Sequence, residues 1–329
     1  MSNTAFIAGI KASIKKHALM PMHSRIIVGL SGGPDSVFLL HMLASMQQED
    51  SIHIIAAHLD HEWRPESGQE ALFCAQLCAD LNIPFITKKI AELNATITHN
   101  GSKEEYARRM RRHFFEQIKK NESADCIALA HHAQDQQETF FIRLIRGATA
   151  TGLSAIHPKN GSYIHPLLET NKASILTYLH DHGITYLTDP TNESLDFLRN
   201  RIRHLVLPAL HTSDTRFAAN FTRTISHLQE TEQFLEQLTN TVFAELTHLS
   251  NEKLMLNINL FCNQKPFMRY RILMRWLIAQ QVPFTPTHAF LQEIERFLAH
   301  PGEKKHQIHH SWHITKKQTR ACIEKTNLP

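Results

Sequence analysis

Between Arg25 and Gly147 the chain alternates two hydrophobic rhythms. Short apolar runs, RIIVGL, IHIIAAHL, PFITKKI and ADCIALA, are each followed by a longer stretch in which apolar residues return every three or four positions: DSVFLLHMLASM, GQEALFCAQLCADL, KEEYARRMRRHFFEQIKK and QQETFFIRLIRG. Runs too short for a helix, alternating with stretches long enough to be one, predict βαβ units and a doubly wound, mostly parallel α/β sheet. Such sheets bind ligands beyond the carboxyl ends of their strands. Three of those ends carry polar clusters: SGGPDS after RIIVGL, HLDHEWR after IHIIAA, and HHAQDQQET after ADCIALA. Clusters at equivalent topological positions predict a single site.

The opening MSNTAFIAGIKASIKKHALM sets lysines among apolar residues at helical spacing and lacks a long apolar stretch, so it reads as an amphipathic helix and not a signal peptide. Past Gly147 the pattern loosens into a turn-rich connector. NKASILTYLHDHGI is a helix with Gly183 as its C-cap. TDPTNESLDFLRNRIRHLVLPAL then gathers arginines ahead of a proline. Residues 217–246 carry Phe221, Ile225, Leu228, Phe234, Leu235 and Leu238 on a helical stripe, and MRYRILMRWLIAQ and THAFLQEIERFLAH predict two further helices. HTSDT interrupts two helical patterns at 211–215, which predicts a catalytic domain over 1–212 and a smaller, mainly helical domain over 213–329.

With 329 residues, 42% of them apolar and 20% charged, the composition is that of an ordinary globular chain of about two domains. No run of about 18 apolar residues marks a membrane span. Five cysteines without a CxxC pair point to reduced thiols and a cytoplasmic protein. The net charge of +4 is unevenly placed: from Arg199 onward 17 Lys/Arg face 10 Asp/Glu, whereas residues 1–198 hold 18 against 21. A basic C-terminal part fits a polyanion partner, and a merely solvated basic surface is the plainer alternative.

SGGPDS is neither GxxxxGK[ST] nor GxGxxG. Backbone N–H groups of a strand–turn–helix junction, with the hydroxyls of Ser31 and Ser36, suit a phosphate. Asp35 inside that cradle would repel the phosphate unless a cation lay between them, which points to Mg²⁺ carried by a nucleotide. A tight turn with an N-cap is the alternative. His58 and His61, with Asp60 between, suit a nucleotide's flank or acid–base work, or they are ordinary hydrogen-bonding histidines. A zinc site there lacks a cysteine partner. Asp135 and Glu138 share a helix face and suit an ammonium group, or they favour the helix N-terminus electrostatically. Along 103–120, Ala107, Met110, Phe114 and Ile118 form the buried stripe, leaving Arg108, Arg109, Arg111 and Arg112 outside it.

SGGPDS after a strand resembles the SGGxDS signature of the PP-loop ATP pyrophosphatases. AAHLDHEWRPESGQE is similar to the HxxHxLRxxS element of one branch, the bacterial tRNA(Ile)-lysidine synthetases. AHHAQDQQETFFIRLIRGATATGL is similar to their AHHxDDQxETxLxRLxRGxGxxGL, and KEEYARRMRRHFF to EExARxxRYxxF. HPLL, DPTN and RNRIRHLVLPAL follow in the same order as PLL, DPxN and RNxxRxxxxPxL, so the resemblance covers about residues 24–210. Gln134 departs from the family's first aspartate, Arg112 from its tyrosine, and Trp63 from the leucine before Arg64.

The resemblance implies an ATP-dependent ligase that adenylates O2 of the wobble cytidine in the CAU anticodon of tRNA(Ile) and joins C2 to an amine of free L-lysine. It implies catalytic roles for Asp35, His58, His61, Arg108 and Asp135. ATP would lie on Ser31, Gly32, Gly33, Pro34, Asp35, Ser36 and Arg111, with Mg²⁺ held by Asp35. Lysine would lie on Asp135 and Glu138, and tRNA on Arg64, His131, His132, Arg199, Arg201, Arg203 and the basic C-terminal part. Longer family members carry a further C-terminal domain, which is expected to be reduced or missing over these 329 residues. The oligomeric state stays open, a dimer included. A PP-loop tRNA thiolase, for which Cys126 is the candidate thiol, and a non-catalytic tRNA-binding module are the alternatives.

Overall fold

The computed structural model describes residues 3–47, 49–63, 67–93, 103–188, 194–250, 252–284, 287–302 and 304–326, the side chains of 103 and 104 excepted. In chain order the first part holds α1 (Asn3–Lys16), β1 (Arg25–Gly29), α2 (Pro34–Met46), β2 (His53–Asp60), α3 (Ser67–Asp80), β3 (Phe85–Lys89), α4 (Lys103–Asn121), β4 (Cys126–Ala128) and α5 (Ala133–Ile145). There follow α6 (Ala150–Leu153), β5 (Lys159–Asn160), β6 (Tyr163–Ile164), α7 (Lys172–Asp181) and α8 (Leu198–Arg201). A π-helical turn (Ile202–Val206), α9 (Leu207–Ser213) and α10 (Phe217–Leu246) complete this stretch. Gly183 adopts φ +62° just past α7, the left-handed geometry of a helix C-cap.

The sheet order is β3-β2-β1-β4-β6-β5, parallel throughout except where β5 meets β6. Side chains alternate across it as the strand period requires. Ile26, Val28, Ile54, Ala56, Cys126 and Ala128 point into a core built with α1, α2, α3 and α7. Ile27, Ile55, Ala57, Leu59 and Ile127 point into a second core under Met110, Phe114, Phe115 and Ile118 of α4. Both faces are covered, so the strands read as unbroken apolar runs. Strand order reverses at β1, which pairs with β2 on one side and β4 on the other. The crevice between the ends of β1 and β4 is therefore the switch point at which an open sheet holds a ligand.

Two compact units emerge, Met1–Gln229 and Glu230–Pro329, so the division falls inside α10 and not near residue 212. The physical reason is that Phe217, Phe221 and Ile225 of α10 pack with Phe140, Phe141 and Ala155. Farther along that helix Phe234 and Leu238 are exposed, so the predicted stripe is not core along its whole length.

The second unit adds a sheet to the expected helices. It contains β7 (Thr247–Ser250), β8 (Lys253–Asn257), α11 (Ile258–Cys262), α12 (Pro266–Ala279), α13 (His288–Ala299), β9 (Lys305–His309), β10 (Trp312–Lys317) and β11 (Arg320–Lys325). The strands form an antiparallel sheet of order β7-β8-β11-β10-β9. Its core joins Trp276, Ile272 and Leu277 of α12 and Ile294 of α13 to Leu256, Ile314, Ala321 and Ile323 of the sheet. The strands escaped the hydrophobic pattern because their outward positions carry Lys and His, and a strand with one wet face shows few apolar residues. Among the described residues no helix is long and apolar enough to cross a membrane.

Candidate active site

The turn after β1 shapes itself. Ser36 Oγ donates to Gly33 O (2.9 Å), accepts the Ser31 N–H (3.1 Å) and lies 3.1 Å from Ser31 Oγ. Gly33 caps α2 with Pro34 in the first turn, where a missing N–H costs nothing. Gly32 sits at φ +79°, and a Cβ there would lie 2.9 Å from Leu187 Cδ1. The Leu187 N–H also donates to Gly32 O (2.9 Å), so the segment after α7 clasps the loop at its tightest point. The result presents the amino end of α2, with its unsatisfied N–H groups, beside Asp35.

His58 lies under this loop, 5% exposed, its Nδ1–H bonded to Leu30 O (2.9 Å) and its Nε2 buried without a protein partner. His61 Nε2 accepts from the Arg111 guanidinium (3.1 Å), and burial, then Arg111, push its pKa down to about 4. It is a neutral imidazole through the physiological range, which suits hydrogen bonding and removes it from acid–base work near neutrality. Asp60, also buried, closes a turn by accepting the Glu62 N–H (2.8 Å). Arg109 pairs with Glu105 one turn away, and Arg112 lies 4.7 Å from the Tyr163 ring centroid. Those two arginines are structural. Arg108 and Arg111 leave positive charge facing the crevice, since Arg108 bears electrostatically on His131, His165 and Arg111.

A chain of opposite charges crosses the switch point. Asp35 lies 2.5 Å from Lys172 Nζ through Oδ1 and 3.6 Å from His132 Nε2 through Oδ2. His132 caps α5: its Nδ1 accepts the Gln134 N–H (3.2 Å), and its backbone N–H donates to Asp135 Oδ2 (2.9 Å). Its Nε2 lies 3.4 Å from Asp135. Asp135 Oδ1 meets Arg199 Nη2 (2.5 Å), and Arg199 Nε donates to Glu138 Oε2 (2.6 Å). Arg203 Nε donates to the other oxygen of Glu138 (2.6 Å), a carboxylate with no exposed surface. Burial alone would raise the pKa of Asp35 and Asp135. His132 and Lys172 outweigh it at Asp35, His132 and Arg199 at Asp135, and both stay below the usual carboxylate range.

The structure therefore joins Asp35, Lys172, His132, Asp135, Glu138, Arg199 and Arg203 in one network, with Ser31 bonded to Ser36 in the turn that carries Asp35, and places His131 against it. The acid pair is already neutralised: Arg199 and Arg203 face inward onto it, while Arg201 clamps the carbonyls of Leu195 and Asp196 (3.0 and 2.9 Å). His131 packs edge-on against His165 (4.8 Å between centroids), its Nδ1 is a buried orphan, and burial lowers its pKa to about 3. Gln134 contributes another orphan, its Oε1. Arg64 and the DPTN stretch lie outside the described residues. The sequence gives no role to Lys172, since a single lysine carries no periodic signal, and His165 enters it only as the first residue of HPLL. Burial holds the Cys74 and Cys78 thiols at about 12 and Cys126 at about 11, so none is a thiolate near neutral pH.

Two measurements test this geometry. Gly32→Ala is expected to cost ~1–3 kcal/mol in urea unfolding, from backbone strain and the Leu187 clash, whereas Gly33→Ala, with φ −72° and only ordinary contact ahead of it, costs less than about 1 kcal/mol. His61 and His131 bind protons in the unfolded chain near 6.5 but in the folded chain only near 4 and 3. Stability is then expected to fall as pH drops below 6.5, with His61→Gln and His131→Gln flattening that slope between about pH 7.5 and about pH 5.

Comparison with known proteins gives the family. Residues 4–210 match the family model described as the PP-loop domain. The tRNA(Ile)-lysidine synthase of Geobacillus kaustophilus is 33% identical over 283 residues, 84% of this chain and 61% of that protein. The Bacillus subtilis tRNA(Ile)-lysidine synthase is 37% identical over 255 residues, 75% of this chain and 54% of its own. The chain thus spans little more than half the length of the curated relatives it matches. The solved U34-tRNA thiolase NcsA of Methanococcus maripaludis superposes with a TM-score of 0.57 at 18% identity, over 69% of this chain and 81% of that one, and shares the fold. With the nucleotide turn, the switch-point crevice and the family match in agreement, the chain belongs to the PP-loop domain family.

Proposed function

We propose that this chain is a tRNA(Ile)-lysidine synthetase, which uses ATP to join free L-lysine to the wobble cytidine of a CAU anticodon and so changes the codon read from AUG to AUA. One observation carries the reading: a phosphate-type turn and a buried acid pair are wired into a single network through His132, next to relatives that bear this name. A phosphate-activating loop and an ammonium-binding pair are the two halves that an ATP-driven amine ligation needs.

The residues present fit a triphosphate with its metal. Asp35, part exposed beside the hydroxyls of Ser31 and Ser36, offers the hard oxygen donors that Mg²⁺ takes. Bound there, the ion supplies neutralisation of phosphate charge. The N–H groups opening α2 hold phosphate oxygens, while Arg108 and Arg111 supply cations for the departing pyrophosphate. O2 of cytosine bonds to the α-phosphorus as the bond to the β-phosphate oxygen breaks. The lysine amine then bonds to C2, the C2–O2 bond breaks, AMP departs with that oxygen, and the amine proton is released. Asp135, 13% exposed at its side chain, is the member of the acid pair an incoming ammonium reaches, at the place Arg199 holds now. Because its pKa is depressed, Asp135 serves as an ionised anchor that orients the amine.

Of the two alternatives, thiolation is disfavoured by cysteines that are buried and protonated. The full chain incubated with ATP, labelled lysine and unmodified tRNA(Ile) bearing CAU is expected to put lysine into RNA with matching AMP release. Asp35→Ala is expected to lower that rate at least ~100-fold. Binding of the tRNA without lysine incorporation or AMP would leave only the binding-module reading.

A further inference from the structure

The turn SGGPDS has no lysine of its own, yet a lysine stands at it. Lys172, the first residue of α7, brings Nζ to 2.5 Å from Asp35 Oδ1, with both side chains about one quarter exposed. Local sequence does not account for that position, since a cation in the first turn of a helix opposes the helix dipole. Tertiary packing does. Ile175 and Leu179 of α7 are fully buried against α2, and the Tyr178 ring meets Phe38 edge-on at 5.1 Å. The carbonyl of Thr170 accepts the Ala133 N–H (3.0 Å), and Asn171 caps α7 by accepting the Ala173 N–H (2.8 Å). The base of Lys172 is therefore pinned to both helices whose amino ends form the crevice, while its four-carbon stem stays free to pivot.

Asp35 has a partner on each side, the Lys172 ammonium at one oxygen and the His132 ring Nε2 toward the other. A polyphosphate entering the cradle brings several negative charges beside that carboxylate, and the nearest mobile positive charge is the Lys172 ammonium. We propose that Lys172 is the phosphate-binding lysine of this loop, delivered from α7, and that it passes from Asp35 to the β- and γ-phosphates when ATP binds. Its release leaves Asp35 open toward a hard cation. The inference rests on the nucleotide half of the proposed function and is independent of the RNA substrate.

Equilibrium binding by the full chain tests it. The probe is an α,β-methylene analogue of ATP, which cannot be cleaved at that bond, with AMP as the comparison ligand. Lys172→Gln is expected to weaken analogue binding ~10–100-fold, as loss of a charge-assisted phosphate contact does. AMP binding, which lacks the β- and γ-phosphates, is expected to stay within about twofold. Lys172→Arg is expected to recover most of the loss. In the unsubstituted protein, the analogue but not AMP is expected to slow acylation of Lys172, read by peptide mass spectrometry, which removes any dependence on how the variant folds. Unchanged analogue binding in Lys172→Gln, equal weakening of AMP, or acylation indifferent to the analogue overturns the proposal while leaving the nucleotide site standing. Failure of the unsubstituted protein to bind the analogue overturns both.

Discussion

Asp35, Asp135 and Glu138 are carboxylates drawn largely out of water in one crevice, and the first unit tolerates them because each meets a cation. An isolated buried carboxylate costs several kcal/mol, and removal of one partner leaves the other uncompensated. Lys172, Arg199 and Arg203 supply the charge and His132 a ring nitrogen beside two of the carboxylates, and each comes from a different part of the chain. That requirement ties α2, α5, α7, α8 and the π-helical turn to one another. It also leaves the three carboxylates paired before any substrate arrives, so a cation that takes one of them does so by exchange with its resident partner.

The exchange explains why the loop differs from the commoner lysine-bearing phosphate loop. In that loop the lysine follows the glycines and is committed to phosphate. Here the residue after the glycines and proline is an aspartate, and the cation is supplied across the crevice. His132 occupies the hinge of this arrangement, with its backbone and both ring nitrogens engaged: Nδ1 fixes the start of α5 and Nε2 faces Asp35 and Asp135. A substitution there disturbs helix capping and charge balance together. The neutral histidines His61 and His131, and the orphaned atoms of His58, His131 and Gln134, line the same crevice with hydrogen-bonding capacity that the protein itself leaves unused.

The second unit follows a different economy. Its buried Lys316 is held by the terminal carbonyls of α13, at Phe297 O and His300 O, and lies over the Phe297 ring. Arg271 spans Glu232, Glu236 and Thr239. Some of the basic residues that the charge count assigned to a polyanion are therefore spent inside the unit's own structure. Charge totals describe a surface only after the internal pairs are subtracted.

The strands β1 to β4 with the helices that follow them, and the three polar strand ends, were legible along the chain, because each depends on a local pattern: an unbroken apolar run where both strand faces are buried, period 3.6 where one helix face is. The places of Ser31 and Asp35 in a turn, His58 at a strand end and Asp135 in a first helical turn were legible for the same reason, as turn and capping chemistry is written within a few residues. The five-stranded sheet of the second unit was not legible, since its wet-faced strands show too few apolar residues. Nor was the pairing of Asp135 and Glu138 with Arg199 and Arg203, more than sixty residues away, or the arrival of Lys172 at a loop more than a hundred residues earlier. Sequence alone determined which groups stand at the strand ends. Only the tertiary structure decided which charges they meet, because a Coulomb interaction depends on distance through space and carries no trace in sequence order.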